Sequence, residues 1–154
     1  SIREQALQID GFNLIILLEV ALSGSPVLFG RDLVYRDLAG LRGTYRLLPQ
    51  TDPAIELIGQ AATRLAPQAV IFYLDQPVSN SGRLKLKILE HSTSWDIPVQ
   101  VEMVHNADAN LMAAEVVVSG DSLVLDRCRS WLNLSRLIIE EMIHPVWTVD
   151  LSRR

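Results

Sequence analysis

The stretch Ile9-Asp10-Gly11-Phe12-Asn13, "IDGFN", ends the short apolar run "ALQI" on an acid, a glycine and an amide, and the chain then continues as "LIILLEVAL". The β-type run before the stop predicts a strand. Residues 13–22 are apolar nearly all round, which predicts a buried helix rather than a surface one. A strand, a tight turn that Asp10 and Gly11 could hold, and a helix therefore begin the fold. "VVVSGDS", Val116 to Ser122, repeats the arrangement far along the chain, where an apolar run again stops at an acid in a small polar turn. Two such stops suggest one shared site.

The same alternation runs outward from these points. "TDPAIELIGQAATRL" reads as a helix with Thr51 or Asp52 as N-cap and Pro53 at its first position. "AVIFYL" is a β-rich run ending at Asp75, followed by the turn formers "QPVSNSG" and a helix from Ser81 to Glu90. "PVQVEMV" predicts a strand, "ADANLMAA" a short helix, "EVVVS" a buried strand and "DSLVLDRC" a helical turn or two. "NLSRLIIEEMI" is an amphipathic helix, and "VWTVDL" a closing strand. Strands alternating with helices predict a three-layer α/β/α domain with a mainly parallel, Rossmann-like central sheet. Residues 24–50 have no clear period: "PVLFG" and "LVYRDL" read as two short strands in an insertion-like segment.

The bulk composition fits one domain of 154 residues. With 49% hydrophobic and 21% charged residues and a mean hydropathy of +0.21, the chain is oily, yet no apolar run reaches the roughly 18–20 residues that cross a bilayer. No membrane association is expected, and the excess apolar surface predicts a homo-oligomer. A start without Met, so close to the first strand, suggests a piece of a longer protein. The single cysteine, Cys128, cannot form an internal disulfide and reads as a structural thiol, so a reducing cytoplasm is the expected compartment. The net charge of −4 argues against a protein coated in basic surface without excluding a local basic groove. His91, His105 and His144 lie near loops or a helix end and read as surface residues.

In an open α/β sheet ligands bind beyond the carboxyl ends of the strands. Asp10, Asp75 and Asp121 each follow an apolar strand directly, and Asp108 opens the helix after the next one. Taken singly these acids are ordinary caps and turn residues: Asp108 and Asp121 as N-caps, Asp75 starting a turn, Asp10 holding the Asp-Gly turn. Taken together they place four carboxylates on one edge. Crowded carboxylates repel unless a divalent cation neutralises them, and hard oxygen ligands favour magnesium or manganese.

"DGFN", "FYLD", "NADAN" and "SGDS", in that order, resemble the PIN-like nucleases, especially the NYN branch, over about residues 7–143. The resemblance implies a metal-dependent ribonuclease that cuts RNA with metal-activated water. Asp10, Asp75, Asp108 and Asp121 would hold Mg2+ or Mn2+, with Asn13 orienting the first carboxylate and Ser122 the last. Where the family often carries another acid two residues after the late Asp, this chain has Leu123. The alternative is a catalytically silent PIN-like module that binds RNA or a protein. A small phosphate-ligand binder is a third reading, though no "GxGxxG" or Walker pattern supports it.

Residues 24–50 are not explained by the common family core and would be specific to a subgroup. In that segment Arg31, Arg36, Arg42 and Arg46, with Tyr35 and Tyr45, are candidates for a groove that pairs phosphates and stacks bases. The competing reading is a solvated hairpin in which Asp32 and Asp37 balance the charge. Ser79, Asn80, Ser81 and Arg83 are candidates for a phosphate cradle at a helix N-terminus, or plain loop chemistry. Glu19, inside the apolar first helix, must be paired, metal-adjacent or at a boundary.

Overall fold

The computed structural model describes residues 1–39 and 43–153. After a 3-10 turn at Ile2–Glu4 come β1 (Ala6–Asp10), α1 (Gly11–Leu22), β2 (Val27–Phe29), β3 (Tyr35–Arg36), α2 (Thr51–Leu65), β4 (Ala69–Asp75) and α3 (Ser81–Ser92). β5 (Val99–Val104), α4 (Ala107–Met112), β6 (Val116–Val118), α5 (Ser122–Arg127), β7 (Ser130–Trp131), α6 (Leu134–Met142) and β8 (Thr148–Asp150) complete the chain.

Five strands form a parallel sheet in the order β5-β4-β1-β6-β7. Helices α1, α2, α3 and α6 cover one face, and α4 and α5 the other. The alternation along the strands sorts the two cores: Leu7, Ile9, Val70, Phe72 and Leu74 enter the large cluster, while Val117 and Tyr73 meet Ala107, Leu111 and Val124 in the small one. This is a three-layer α/β, Rossmann-like fold. From β1 the chain builds outward to β4 and β5, then returns past β1 to β6 and β7. The direction of winding therefore reverses beside β1, and loops leaving β1 and β6 diverge there to open a crevice. Among the described residues no helix is long and apolar enough to cross a membrane.

α1 is buried as its composition demands, with Phe12, Leu14, Ile15, Leu17, Leu18 and Ala21 all nearly inaccessible. Its start is not a separate turn. Asp10 ends the strand and Gly11 is already helical, so Asp10 is the N-cap by position, although its side chain makes no cap hydrogen bond. The glycine answers to proximity: a Cβ on Gly11 would stand 2.5 Å from Leu74 Cδ2 and 3.0 Å from the Tyr73 carbonyl oxygen of β4.

The ends of two expected elements differ. α2 is flanked by Gln50, whose side chain does not cap, and neither Thr51 nor Asp52 is the N-cap. The Thr51 hydroxyl is taken inward by Glu19 and accepts the Leu48 N–H at 2.9 Å, and Asp52 turns to α3. Pro53 sits in the first turn but not at its first position. The closing strand at "VWTVDL" forms, but it joins a second sheet, β3-β2-β8, in which β2 is antiparallel to β3 and parallel to β8. The β2–β3 part of the segment 24–50 is an antiparallel hairpin in which Asp32 pairs with Arg36, packed onto the body of the fold. Phe29 and Tyr35 pack ring to ring at 4.6 Å, Arg136 of α6 lies over Phe29 at 5.4 Å, and the Asn133 amide donates to the Leu33 carbonyl at 2.9 Å.

A charged clamp joins α2 to α3. His91 places Nε2 on Asp52 at 2.7 Å and Nδ1 on Glu56, and Lys87 donates to both Asp52 oxygens at 3.0 Å. A ring with both nitrogens on carboxylates is held as imidazolium. Partial burial pulls the His91 pKa down, but the hydrogen bonds to Asp52 and Glu56 outweigh it and leave a net rise; those from His91 and Lys87 hold Asp52 below the usual range. The histidine expected on the surface is therefore a structural cation. A folded pKa raised above the unfolded one stabilises fully below the ordinary histidine value of 6.5 and loses that contribution as pH rises through the folded value. The stability advantage of wild type over His91→Asn, read as urea midpoints, should shrink as pH is raised from about 6.5 into the alkaline range. A constant difference across that range would refute the clamp.

Candidate metal centre at the sheet edge

Asp10 ends the central strand and is 6% exposed. Its Oδ2 accepts the Ser119 hydroxyl at 2.9 Å, and that hydroxyl oxygen accepts the Asp121 N–H at 3.0 Å. Asn13, in the first turn of α1, accepts the Gly120 N–H at 2.7 Å. The loop after β6 is thus tied to β1 and α1 through two short polar links across the crevice, and the Asp121–Ser119 bond braces it internally.

The other acids are positioned by helix starts. Asp75 Oδ1 accepts the Ala107 N–H at 2.8 Å and so holds the beginning of α4 against the end of β4. Asp121 caps α5, its Oδ1 accepting from Leu123 at 2.8 Å and Val124 at 3.4 Å. Asp108 caps nothing: the cap of α4 is Asn106, which accepts the Asp108 N–H at 3.1 Å. Asp10, Asp75 and Asp121 each spend one oxygen on structure, and among the described residues the second oxygen of each accepts no hydrogen bond. All four carboxylates line one open pocket of about 550 Å3, together with Asn13, Arg36, Asp37 and Ser122.

The charges feel one another. Burial pushes Asp10 up to about 7; the Ser119 hydrogen bond opposes this, and the charges of Asp108, Asp75 and Asp121 add to it. Burial, then Asp121 and Asp75, raise Asp108 as well. A pocket that penalises its own carboxylates asks for a proton or a cation. The donors are all oxygen, which fits a hard divalent ion. They surround the pocket rather than closing on a point, since among the described residues no three His, Cys, Asp or Glu side chains are grouped to hold a metal.

Of the remaining candidates, Arg36 and Ser122 line this pocket. Arg36 is fully engaged there: Nε donates to the Gly120 carbonyl at 2.7 Å, and the two terminal nitrogens reach Asp32 at 3.1 and 2.7 Å and Ser122 Oγ at 3.2 Å. Its guanidinium fastens the β6–α5 loop to β3. Arg31 and Arg83 are exposed and lie outside the pocket; Arg42 lies outside the described residues. Tyr35 and Tyr45 are 6% and 5% exposed. With Tyr35 donating to Glu140 at 3.0 Å and Tyr45 edge-on to Phe12 at 5.2 Å, they are core rings and offer no face for stacking bases.

Ser79, Asn80 and Ser81 also have other work. The Ser79 hydroxyl accepts the Tyr45 N–H at 2.9 Å, the Asn80 amide donates to the Tyr45 carbonyl at 2.7 Å, and Ser81 donates to the Gln76 carbonyl at 3.1 Å. Ser79 and Asn80 lock residues near Tyr45 to the β4–α3 loop, and Ser81 closes that loop on itself. Glu19 is paired with Tyr45 and Thr51, away from the four aspartates. Cys128 packs beside the small core cluster, where burial raises its thiol, as a structural cysteine would. Two residues were not proposed for the site from the sequence: Ser119, a strand-end hydroxyl one residue before the glycine that supports Asp10, and Asp37, named only as a charge balance, which lines the pocket.

Residues 1–137 match the family described as Domain of unknown function (DUF5616). The chain belongs to the DUF5616 family. The matched span takes in all four aspartates and ends within α6, so β8 lies outside it. The "Uncharacterized protein MJ0935" of Methanocaldococcus jannaschii is similar to this DUF5616 chain, 36% identical over 121 residues that make up 79% of the chain and 58% of that protein's length. The chain thus spans under two thirds of that relative. No solved structure matches it.

Proposed function

We propose that this protein is a metal-dependent ribonuclease of the PIN-like kind, with Mg2+ or Mn2+ held by Asp10, Asp75, Asp108 and Asp121. The observation that carries the reading is the meeting of four carboxylates, from four strand-to-helix junctions, around one pocket where the sheet reverses its winding. A bound cation would supply Lewis-acid stabilisation at the phosphate and a lowered pKa for water. The chain's own residues do the rest. Asp10 contributes a nearly buried charge, Ser119 and Asn13 fix the β6–α5 loop so that Asp121 faces it, and Asp75 sets the start of α4 and with it Asp108. Without a cation the acidic wall repels a phosphodiester, so activity requires one.

Single-stranded RNA incubated with manganese should be cut slowly, and chelator should stop the cutting. Cleavage that persists in chelator refutes the metal reading. The spacing of the carboxylates, no three of which are grouped about one point, favours a second reading, a catalytically silent module; RNA binding with no cleavage under any divalent ion would select it.

The cytoplasm is the compartment this reading implies, from the lone cysteine. Self-association is part of the same reading, supported by Trp147, Val149 and Leu151, which are 61%, 38% and 50% exposed along β8 and just beyond it. Light scattering that returns the monomer mass at high concentration would dismiss it.

A further inference from the structure

Glu19 is the one acid inside α1, and it is 2% exposed. The two hydroxyls that reach it, from Tyr45 at 2.7 Å and from Thr51, both donate to Oε2. Oε1 accepts nothing from the described residues. It is not sealed either, since among them the buried side-chain polar atom with no partner is Trp95 Nε1. Glu19 lines a second pocket, of about 240 Å3, on the flank of α1. Ile16, Val20 and Leu48 give that pocket apolar walls, and the exposed Arg46 stands at its rim. Ile16 also lines the acidic pocket, so the two cavities are neighbours along one helix.

These parts specify a ligand. A nearly buried carboxylate oxygen in an apolar wall calls for a hydrogen-bond donor, apolar walls call for a flat or apolar body, and Arg46 calls for an anion. A small amine would satisfy the oxygen but oppose the arginine. A nucleotide supplies all three. Among the bases, guanine sets an imino N–H beside an amino group, whereas uracil flanks its N–H with carbonyls, and adenine and cytosine set their amino group beside a ring acceptor. We propose that this pocket is a base-recognition subsite that takes a guanine of single-stranded RNA beside the acidic pocket. Glu19 Oε1 accepts from the base edge and Arg46 meets the adjoining phosphate. The inference rests on RNA as the ligand of the acidic pocket but does not require cleavage there.

Calorimetry with guanosine, adenosine, cytidine and uridine monophosphates, in chelator so that no metal enters the comparison, reads the subsite directly. Wild type should prefer the guanosine nucleotide by about tenfold. Glu19→Gln leaves a carbonyl for the two hydroxyls and turns an amide NH2 into the pocket, so the preference should vanish, while Arg46→Ala should weaken all four nucleotides alike. Equal binding of the four by wild type, or an unchanged preference in Glu19→Gln, overturns the proposal. If Glu19→Gln does not fold, photocrosslinking of thioguanosine-bearing RNA to wild type decides: adducts on the peptides that carry Tyr45 and Leu48 support the subsite, and adducts only elsewhere overturn it. Guanine preference in a protein that never cleaves RNA would sink the nuclease reading and leave this one standing.

Discussion

Asp10→Asn is expected to lower manganese-dependent RNA cleavage by on the order of a thousandfold, and to make the metal-free protein more stable than its parent at neutral pH. The first effect follows from position: Asp10 ends the central strand at the reversal of winding, and it feels the charges of Asp75, Asp108 and Asp121. The second follows from burial. Burial pushes the Asp10 carboxyl up to about 7 in the folded protein, from an ordinary aspartate value of 3.8. A folded pKa raised above the unfolded one means stability that is complete below about pH 4 and lost as pH rises to about 7. At neutral pH the buried charge then costs about 4 kcal/mol. Asparagine carries no charge and still presents an oxygen to the Ser119 hydroxyl. In chelator the variant should therefore gain on the parent as pH rises, and the two should converge near pH 4. An active Asp10→Asn protein would end the metal mechanism, and a variant less stable than the parent at pH 7 would show that Asp10 carries no unrelieved charge.

The alternation of strands and helices was legible because parallel strands buried on both faces are continuous apolar runs, and α1 was legible because it is apolar on every side. What escaped depends on partners rather than on local pattern. β7 is two residues, Ser130 and Trp131, exposed and paired to Val116 and Val117; nothing in "RSWL" distinguishes it from a loop. β8 was expected, but not its place, because strand propensity in "VWTVDL" does not say that Val27–Phe29 will pair with it instead of the central sheet. The N-cap of α2 was misread for a related reason. Thr51 has the right chemistry for a cap, but the buried Glu19 of α1 claims its hydroxyl.

The site divides along the same line. Strand ends of a parallel sheet share one edge by construction, so Asp10, Asp75 and Asp121 could be placed on a common rim from spacing alone. Asp108 was placed on the same rim as the opener of the next helix, but "NAD" offers two caps and the geometry shows that Asn106, not Asp108, takes the role. The arginines and tyrosines of residues 24–50 carried too little periodicity to reveal an inside and an outside. Tyr35 and Tyr45 turned out to be core, and Arg36 a strut between β3 and the β6–α5 loop. Ser119 escaped because its role joins three elements: its hydroxyl donates to Asp10 while its oxygen orders the Asp121 backbone.

Gly11→Ala should destabilise the fold by about 1–3 kcal/mol and lower manganese affinity with it. Alanine at a helix start is ordinarily neutral or favourable, worth up to about 1 kcal/mol over glycine in a helix interior. Here the added methyl would stand 2.5 Å from Leu74 Cδ2 and 3.0 Å from the Tyr73 carbonyl. Leu74 is fully buried, so its side chain has little room to turn away, and the carbonyl belongs to β4, paired in register with β1. The helix must therefore move instead of the sheet. The first turn of α1 carries Asn13, whose 2.7 Å bond to the Gly120 N–H holds the loop that presents Asp121, while Asp10 stays with the strand. A shift of α1 separates those two supports of one pocket, and misplacement of about 1 Å can cost on the order of a hundredfold in activity. Urea unfolding and manganese calorimetry on the same protein measure both consequences. If stability falls while manganese affinity is unchanged, Asn13 does not position the Asp121 loop; if neither changes, close approach is not why glycine follows Asp10.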